Sequence, residues 1–314
     1  MKKTCMAACL AISLGFCSTA MAKDIDAVDV FAGNSLSAIA YADISSLVNS
    51  KIINDAMDAT GSNKNGSVMA GLDELAKLGI DYKKDIKSAV IAVDVDMHSC
   101  MVIDASKSVK ALWDKEMTRE GSSVTAYGNY QIVNENGANG VLLSDKRVLI
   151  CEGAFNIQTV LDNVAKPKAL KSTDKVLYTA YSQTSAKADI RVAGKMIDSL
   201  RGDAAKARIK DGNIVVSAAD AESISVSLDF KKGISLDARA LGKSDKIAAD
   251  AAAILNMKVA PFLSDPSLGE MGLGFLPSVV KIASSKKYLT VNVDMNDDQV
   301  TSIVALLAVM AGAK

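Results

Sequence analysis

The chain has 314 residues, of which 49% are hydrophobic and 23% charged, with 36 basic residues, 36 acidic residues and one histidine. An apolar fraction this high excludes an intrinsically disordered chain, and zero net charge argues against a basic surface for nucleic acid. Because histidine is the commonest general base and metal ligand near neutral pH, its near absence narrows the catalytic options.

Residues 1–22 have the pattern of a secretory signal peptide. Lys2 and Lys3 form a positive start, an apolar run follows from Cys5 to Phe16, and Ala20-Met21-Ala22 supplies the small residues of a cleavage site. The apolar run is shorter than the roughly 20 residues that span a bilayer. We therefore expect cleavage after Ala22, a periplasmic or secreted protein, and no transmembrane helix in the mature chain. A lipid anchor at Cys17 is disfavoured, because bulky Phe16 precedes it.

Cleavage changes the charge and the cysteine content. Removing 22 of the 314 residues leaves 292, with 34 basic and 36 acidic residues and a formal net charge of −2. Only Cys100 and Cys151 remain, each at the edge of a strand-like run. A disulfide between them and two buried free thiols are the alternatives, since a bridge needs Cα atoms within about 7 Å. A chain of this length can bury a core with or without the bridge.

The first half, residues 23–168, shows mixed helix and strand periodicity. In chain order, the predicted elements are a strand from Ile39 to Ile44, a helix carrying Leu47 to Met57, a loop at residues 61–67, a helix carrying Met69 to Leu78, strands Ala89 to Val95 and Met101 to Ala105, a helix carrying Val109 to Met117, strands Val124 to Tyr127, Tyr130 to Val133, Val141 to Leu143 and Val148 to Cys151, and a helix carrying Ile157 to Val164. Asp43 or Ser45 suits the N-cap of the first helix.

The second half, residues 169–314, repeats this mixture. The predicted elements are a helix carrying Val176 to Tyr181, a strand from Asp189 to Ala193, a helix from Met196 to Leu200, strands Ser223 to Phe230 and Ile234 to Ala240, a helix from Ser244 to Met257, a segment broken by Pro261, Pro266 and Pro277, strands Val279 to Ala283 and Tyr288 to Met295, and a helix from Asn296. Strict alternation in the strands Ser223 to Phe230 and Ile234 to Ala240 predicts a hairpin with a buried apolar face and a solvated polar face. Gln299 completes a capping box with Asn296.

The two halves follow a similar order of elements. Ala89 to Ala105 corresponds to Ser223 to Leu241, Val141 to Cys151 corresponds to Val279 to Met295, and the helix from Asn156 corresponds to that from Asp297. This order predicts an α+β fold of two similar halves, each an antiparallel sheet packed with helices, that arose by internal duplication.

Two motifs resemble a known group of sequences. The run Leu78-Gly79-Ile80-Asp81-Tyr82-Lys83-Lys84-Asp85-Ile86, followed by a strand pair, resembles a leucine-glycine-x-aspartate motif of uncharacterised secreted proteins from bacteria such as myxobacteria and planctomycetes. The run from Asp189 to Gly194 is similar to the mid-chain strand of the same group. The resemblance implies a repeated α+β fold and export, and it implies no activity and no site residues.

Three residues form the sharpest candidate for a metal site. Asp94, Asp96 and His98 alternate along an extended segment that ends at Cys100, so their side chains would project to one side. The alternative is a polar hairpin turn, because turns favour such residues. Zinc sites usually draw ligands from more than one segment, and no second histidine exists.

Other catalytic patterns are missing from the sequence. The acidic run from Asp294 to Asp298 fails as a calcium loop, because Gln299 stands where glycine is required and Ala305 where glutamate is required. No nucleophile elbow or phosphate-binding loop occurs. An enzyme is therefore less expected than a non-catalytic protein, and no cofactor is indicated. The apolar run from Ile303 to Ala313 is too short to span a bilayer, and its stripe predicts burial in the fold.

The polar face of the predicted second-half sheet is the remaining candidate site. The residues chosen there for ligand binding are Ser225, Ser227, Asp229, Asp237, Arg239 and Asn292. The alternative is that they form only the solvated side of a sheet. The sequence thus favours an exported, non-catalytic binding or interaction protein whose partner is another protein or a small polar ligand. Two alternatives stay open: a periplasmic hydrolase or metal-dependent enzyme using Asp94, Asp96 and His98, and an apolar-ligand or lipid carrier suggested by the run from Met271 to Leu276.

Overall fold

The computed structural model describes residues 28–59, 80–135, 137–211 and 214–312. Within these ranges the chain has an α+β fold, in which helices pack on a twelve-stranded antiparallel sheet. The predicted signal peptide, the loop at residues 61–67 and the helix carrying Met69 to Leu78 lie outside the described residues.

Up to residue 168 the predicted order of elements is largely confirmed. The strands are β1 (Leu36–Ala42), β2 (Ile86–Asp94), β3 (Ser99–Ala105), β4 (Ser123–Tyr127), β5 (Tyr130–Glu135), β6 (Ala138–Ser144) and β7 (Arg147–Glu152). The helices are α1 (Ile44–Leu47), α2 (Lys51–Ala59), α3 (Tyr82–Asp85), α4 (Lys110–Met117) and α5 (Ile157–Ala165). The helix predicted from Leu47 to Met57 is wrong in its extent, because the chain is interrupted between α1 and α2. Asp43 is the N-cap of α1, and its side chain accepts a hydrogen bond from the Ser45 N–H.

The rest of the chain contains a hairpin that the sequence pattern did not predict. The helices are α6 (Leu170–Thr173), α7 (Lys175–Ser182), α8 (Asp198–Ala204), α9 (Asp245–Leu263), α10 (Pro266–Glu270), α11 (Leu276–Val279) and α12 (Asp297–Gly312). The strands are β8 (Ile190–Lys195), β9 (Arg208–Asp211), β10 (Ile214–Ser217), β11 (Ala221–Asp229), β12 (Ile234–Gly242), β13 (Val280–Ser285) and β14 (Tyr288–Met295). Among the strands of the described ranges, β9 and β10 pair only with each other. α9 continues through Pro261 and ends two residues later at Leu263, so the helix break expected at Pro261 follows this proline.

The C-terminal helix begins with the predicted capping box. The Asn296 N–H donates to Gln299 Oε1 at 2.9 Å, and the Gln299 N–H donates to Asn296 Oδ1 at 3.0 Å. Farther along α12, Ile303 and Val304 pack against the apolar cluster of Val279, Met295 and Val300. Among the helices of the described ranges, none has both the length and the apolar character needed to cross a membrane.

The large sheet is continuous from one end of the fold to the other. Its strand order is β13-β14-β12-β11-β8-β1-β2-β3-β7-β6-β5-β4, so β1 pairs with β8 near the centre. Outward from β1 the order is β2, β3, β7, β6, and outward from β8 it is β11, β12, β14, β13. This order is compatible with two similar halves, and the duplication stays a prediction.

Different helices cover the two faces of the sheet. On the face that carries Tyr41 and Val102, the core includes residues of α5 and α7 such as Leu161 and Tyr181. On the opposite face, Leu47 of α1 packs against Ala89 of β2, and α9 lies over β12, β13 and β14. Each strand therefore contributes alternate side chains to two separate environments.

The predicted orientation of β11 is wrong. Ser225 and Ser227, expected on the solvated face, are 3% and 5% exposed, whereas Ile224, expected to be buried, is 48% exposed. α7 explains the reversal, because Tyr181 of this helix stacks over Arg191 on β8, and Arg191 lies beside Ser227 on the same face. The Ser227 hydroxyl is satisfied there by the Ser185 N–H, which donates to it at 2.8 Å.

Candidate functional site

Strand register arranges polar side chains in rows across one sheet face. Directly opposed residues share a face, with Cβ atoms about 4.5–5.5 Å apart. The rows on β11, β12, β14 and β13 are Ser227–Asp237–Asn292–Lys281 and Asp229–Ser235–Asp294. The polar residues of β12, β14 and β13 therefore form one continuous surface, whereas Ser227 at its β11 end is buried.

These rows form the floor of a groove of about 650 Å³. Four of the six predicted ligand-binding residues line it, namely Ser227, Asp229, Asp237 and Asn292. Ser225 is buried and is not among the lining residues, and neither is Arg239, whose guanidinium binds Asp237. The structure thus assembles most of the predicted set into one cavity and leaves two members outside it.

Five polar lining residues were not among these six candidates, namely Ser185, Ser235, Ser278, Lys281 and Asp294. Ser185 lies in the connection between α7 and β8, Ser278 lies in α11, and Lys281 lies on β13. The alternation of Lys281 with Val280 and Ile282 is a signal that could have placed it on the polar face. No sequence signal identified Ser185 or Ser278 as groove residues, because their position at the groove depends on tertiary packing.

Two of the groove carboxylates are already paired. Arg239 donates to Asp237 through Nε at 3.0 Å and through Nη2 at 2.6 Å, and this hydrogen bonding raises the pKa of Arg239. Lys231 lies 2.8 Å from Asp229, and its Nζ is also 2.9 Å from buried Asp189. These pairs neutralise part of the negative charge at the groove.

Asp294 and Lys281 differ from the paired carboxylates. Within the described part of the chain, neither side chain forms an ion pair or a side-chain hydrogen bond. Lys281 lies opposite Asn292, and Asp294 lies two residues farther along β14, so the two are diagonal neighbours on one face. Diagonal neighbours in an antiparallel pair are about 7–8 Å apart, within the reach of long side chains. The groove therefore presents one available carboxylate and one available ammonium group.

The predicted metal residues meet at the turn between β2 and β3. One ligand atom from each of Asp94, Asp96 and His98 lies within 4.8 Å of the others. Asp94 Oδ1 accepts from the N–H groups of Asp96 and His98 at 2.9 and 2.8 Å, and Asp94 Oδ2 is 3.1 Å from His98 Nδ1. The three groups could hold a divalent cation such as zinc. Both oxygens of Asp94, however, already stabilise the turn.

Gly153 makes room for the imidazole of this turn. Its φ is +68°, and a Cβ atom at this position would overlap the His98 ring. A larger residue would therefore be strained in its backbone and would also displace the ring. His98 is thus held from two sides, by Asp94 and by the backbone at Gly153.

The two cysteines expected in the mature chain form a disulfide bond. Cys100 on β3 and Cys151 on β7 are directly opposed, with Cα atoms 3.9 Å apart, and both are buried. Because a disulfide sulfur is not a thiolate, Cys100 does not supply a further metal ligand beside His98.

Comparisons with known proteins support the fold alone. No protein-family model and no curated protein sequence matches the chain. Among solved structures, crystal form I of TP0453 aligns with 90% of this chain and 98% of that chain, at 10% identity and a TM-score of 0.50. Crystal form III of TP0453 aligns with 88% and 97% of the two chains, at 9% identity and a TM-score of 0.48. The chain is therefore similar to TP0453 in its α+β fold, and no activity or site follows from that likeness.

Proposed function

We propose that the protein is an exported, non-catalytic binding protein that takes a small zwitterionic ligand, such as an amino acid or short peptide, in the polar groove. The observation that carries the proposal is the pair of available opposite charges, Asp294 and Lys281, on the floor of a groove of about 650 Å³. This volume lies in the range of about 300–1,000 Å³ typical of small-molecule sites. The predicted signal peptide supports the periplasm or the cell exterior as the location.

The remaining groove residues suit the uncharged parts of such a ligand. Ser235 and Ser278 provide hydroxyl groups, and Asn292 provides an amide that can both donate and accept hydrogen bonds. Asp237 is held in place by Arg239, so its carboxylate is oriented before a ligand arrives. A preorganised acceptor lowers the entropic cost of binding.

Isothermal titration calorimetry of the mature protein tests the proposal. The ligands are dialanine and its N-acetylated, C-amidated analogue, which has no charged ends. We expect dialanine to bind and the analogue to bind at least about tenfold more weakly, a difference of about 1.4 kcal/mol. Lys281→Gln and Asp294→Asn should each weaken dialanine binding by a similar factor.

Matched controls come from an exposed ion pair between Asp203 in the last turn of α8 and Lys206 just after this helix. Lys206→Gln and Asp203→Asn make the same chemical changes at side chains that are each 81% exposed. Both controls should bind like the unmodified protein. Equal binding of charged and capped dialanine, or normal binding by the two groove variants, would overturn the zwitterion proposal.

The second candidate function is that of a metal-dependent hydrolase, favoured by the proximity of Asp94, Asp96 and His98. In that proposal a zinc ion held by the three side chains would activate a water molecule. The engagement of both Asp94 oxygens in the turn argues for the binding protein instead.

A further inference from the structure

A second cavity lies against the opposite face of the large sheet. Its volume is about 370 Å³, and it is lined by the large sheet, one helix and one hairpin. Ala240 of β12 and Leu289 of β14 form the floor, Ala251 and Leu255 of α9 form one wall, and the β9–β10 hairpin forms the other. The run from Met271 to Leu276, in which the sequence suggested an apolar site, contributes no lining residue to it.

The alternation of β12 creates both cavities. Asp237 faces the polar groove, so Ala238 and Ala240 face the other side of the sheet. Across from them, α9 presents small buried residues, among them Ala248 and Ala251. Small side chains on the floor and on the helix leave a space between them. Ile209 and Val216, paired on the β9–β10 hairpin, close it with further apolar surface.

The few polar groups at this cavity are satisfied by the protein itself. The Asp220 carboxylate accepts from the Ser217 N–H at 3.1 Å and lies 3.4 Å from Lys243 Nζ. Arg208 Nε donates to the Ala205 carbonyl oxygen at 2.5 Å. Because these groups have partners, the cavity does not require a charged ligand.

We propose that this cavity is a binding site for a small, uncharged apolar molecule or an alkyl chain. Apolar walls exposed to water favour an apolar occupant, which removes both surfaces from solvent. The volume argues against a folded partner as the occupant, since an α-helix with its side chains is about 10–12 Å across. The exposed side chain of Ile224, which lies opposite Ala240, extends the apolar surface beyond the cavity. The inference is independent of the polar groove and of its ligand.

Titration of the mature protein with N-phenyl-1-naphthylamine, an uncharged fluorescent molecule, tests the site. We expect a saturable rise in fluorescence with one molecule bound per chain, displaced by 1-dodecanol and not by dialanine. Ala251→Leu should fill the cavity and weaken binding at least about tenfold. Ala253→Leu is the matched control, since Ala253 is exposed on the same helix, and it should bind normally.

A second variant tests the cavity without a substitution in α9, in case Ala251→Leu disturbs folding. Ala240→Val narrows the cavity from the sheet floor, and valine is well suited to a β-strand. Circular dichroism and thermal unfolding identify the variants that are folded. The proposal fails if the unmodified protein does not bind the fluorophore, or if a folded Ala251→Leu or Ala240→Val protein binds it with unchanged affinity. Lys281→Gln should leave this binding unchanged, which separates the cavity from the groove.

Discussion

Arg239 forms two hydrogen bonds with Asp237, two residues earlier on the same strand. Residues two apart on a strand project from the same face, so the guanidinium lies along β12 and reaches the carboxylate from one side. The ion pair with Arg239 neutralises the negative charge of Asp237 on the groove floor. It leaves Asp294 and Lys281 as the lining charges that are available to a ligand.

Breaking this pair should change the charge preference of the groove. In an Arg239→Gln variant, Asp237 becomes an unpaired carboxylate, so we expect the diamine putrescine to bind more tightly than to the unmodified protein. The free energy of unfolding should fall by less than about 1 kcal/mol, because the pair is partly exposed. Calorimetry and urea unfolding measure the two effects. Arg201→Gln on α8 is the control, and equal putrescine binding by both variants would contradict the prediction.

The disulfide should contribute strongly to stability. Cys100 and Cys151 are separated by 51 positions, and a cross-link across such a segment restricts the unfolded chain. We expect Cys100→Ala combined with Cys151→Ala to lower the free energy of unfolding by about 2–4 kcal/mol. Urea unfolding with and without a reductant provides the measurement. The reduced protein should behave like the double variant, and an unchanged urea midpoint would refute the expectation.

Asp85 should make part of the stability depend on pH. Its pKa is lowered from the ordinary value, chiefly by the hydrogen bond from Lys107, whose Nζ lies 2.6 Å away. A carboxyl with a lowered folded-state pKa stabilises the fold above its unfolded pKa of about 3.9, and this contribution is lost as pH falls through the folded-state pKa.

Asp85→Asn removes that dependence and tests its sign. The difference in free energy of unfolding between the unmodified protein and the variant should be largest near about pH 7 and should shrink below about pH 3. Urea unfolding at several pH values measures it. Asp203→Asn, at an exposed position, should show no such trend. A difference that stays constant with pH would show that Asp85 acts by packing and not by charge.

Zinc binding at the β2–β3 turn is expected to be weak. Three ligands from one turn, with both Asp94 oxygens already engaged, do not complete a tetrahedral set. Elemental analysis of protein purified with zinc and then dialysed should find well under one zinc per chain. One retained zinc per chain, lost in His98→Ala, would instead support the metal-dependent enzyme.

Local patterns predicted much of the fold. The β2–β3 and β11–β12 hairpins follow from alternation and short turns, and the capping box at Asn296 follows from two residues three positions apart. The cluster of Asp94, Asp96 and His98 could also be predicted from the sequence, because its members share one turn. These features depend on interactions within a few residues of each other along the chain.

Features that depend on distant contacts were missed or reversed. Ser227 is buried because α7 packs on its face, and no pattern within β11 reports where that helix lies. The groove requires the register between β12 and β14, which places Asp237 beside Asn292. In the sequence these two strands are separated by α9, α10, α11 and β13. The β9–β10 hairpin has only four residues in each strand and forms its own two-stranded sheet, so its sequence pattern is weak.

The pairing of β1 with β8 has a consequence for any attempt to divide the molecule. A chain cut at Lys166-Pro167 would separate these two strands and uncover an unpaired backbone edge on each fragment. The contact between α2 and α12 crosses the same boundary and would be lost as well. Fragments made separately should therefore aggregate or stay unfolded, and they should be recovered in soluble form when they are produced together and reassociate along that edge.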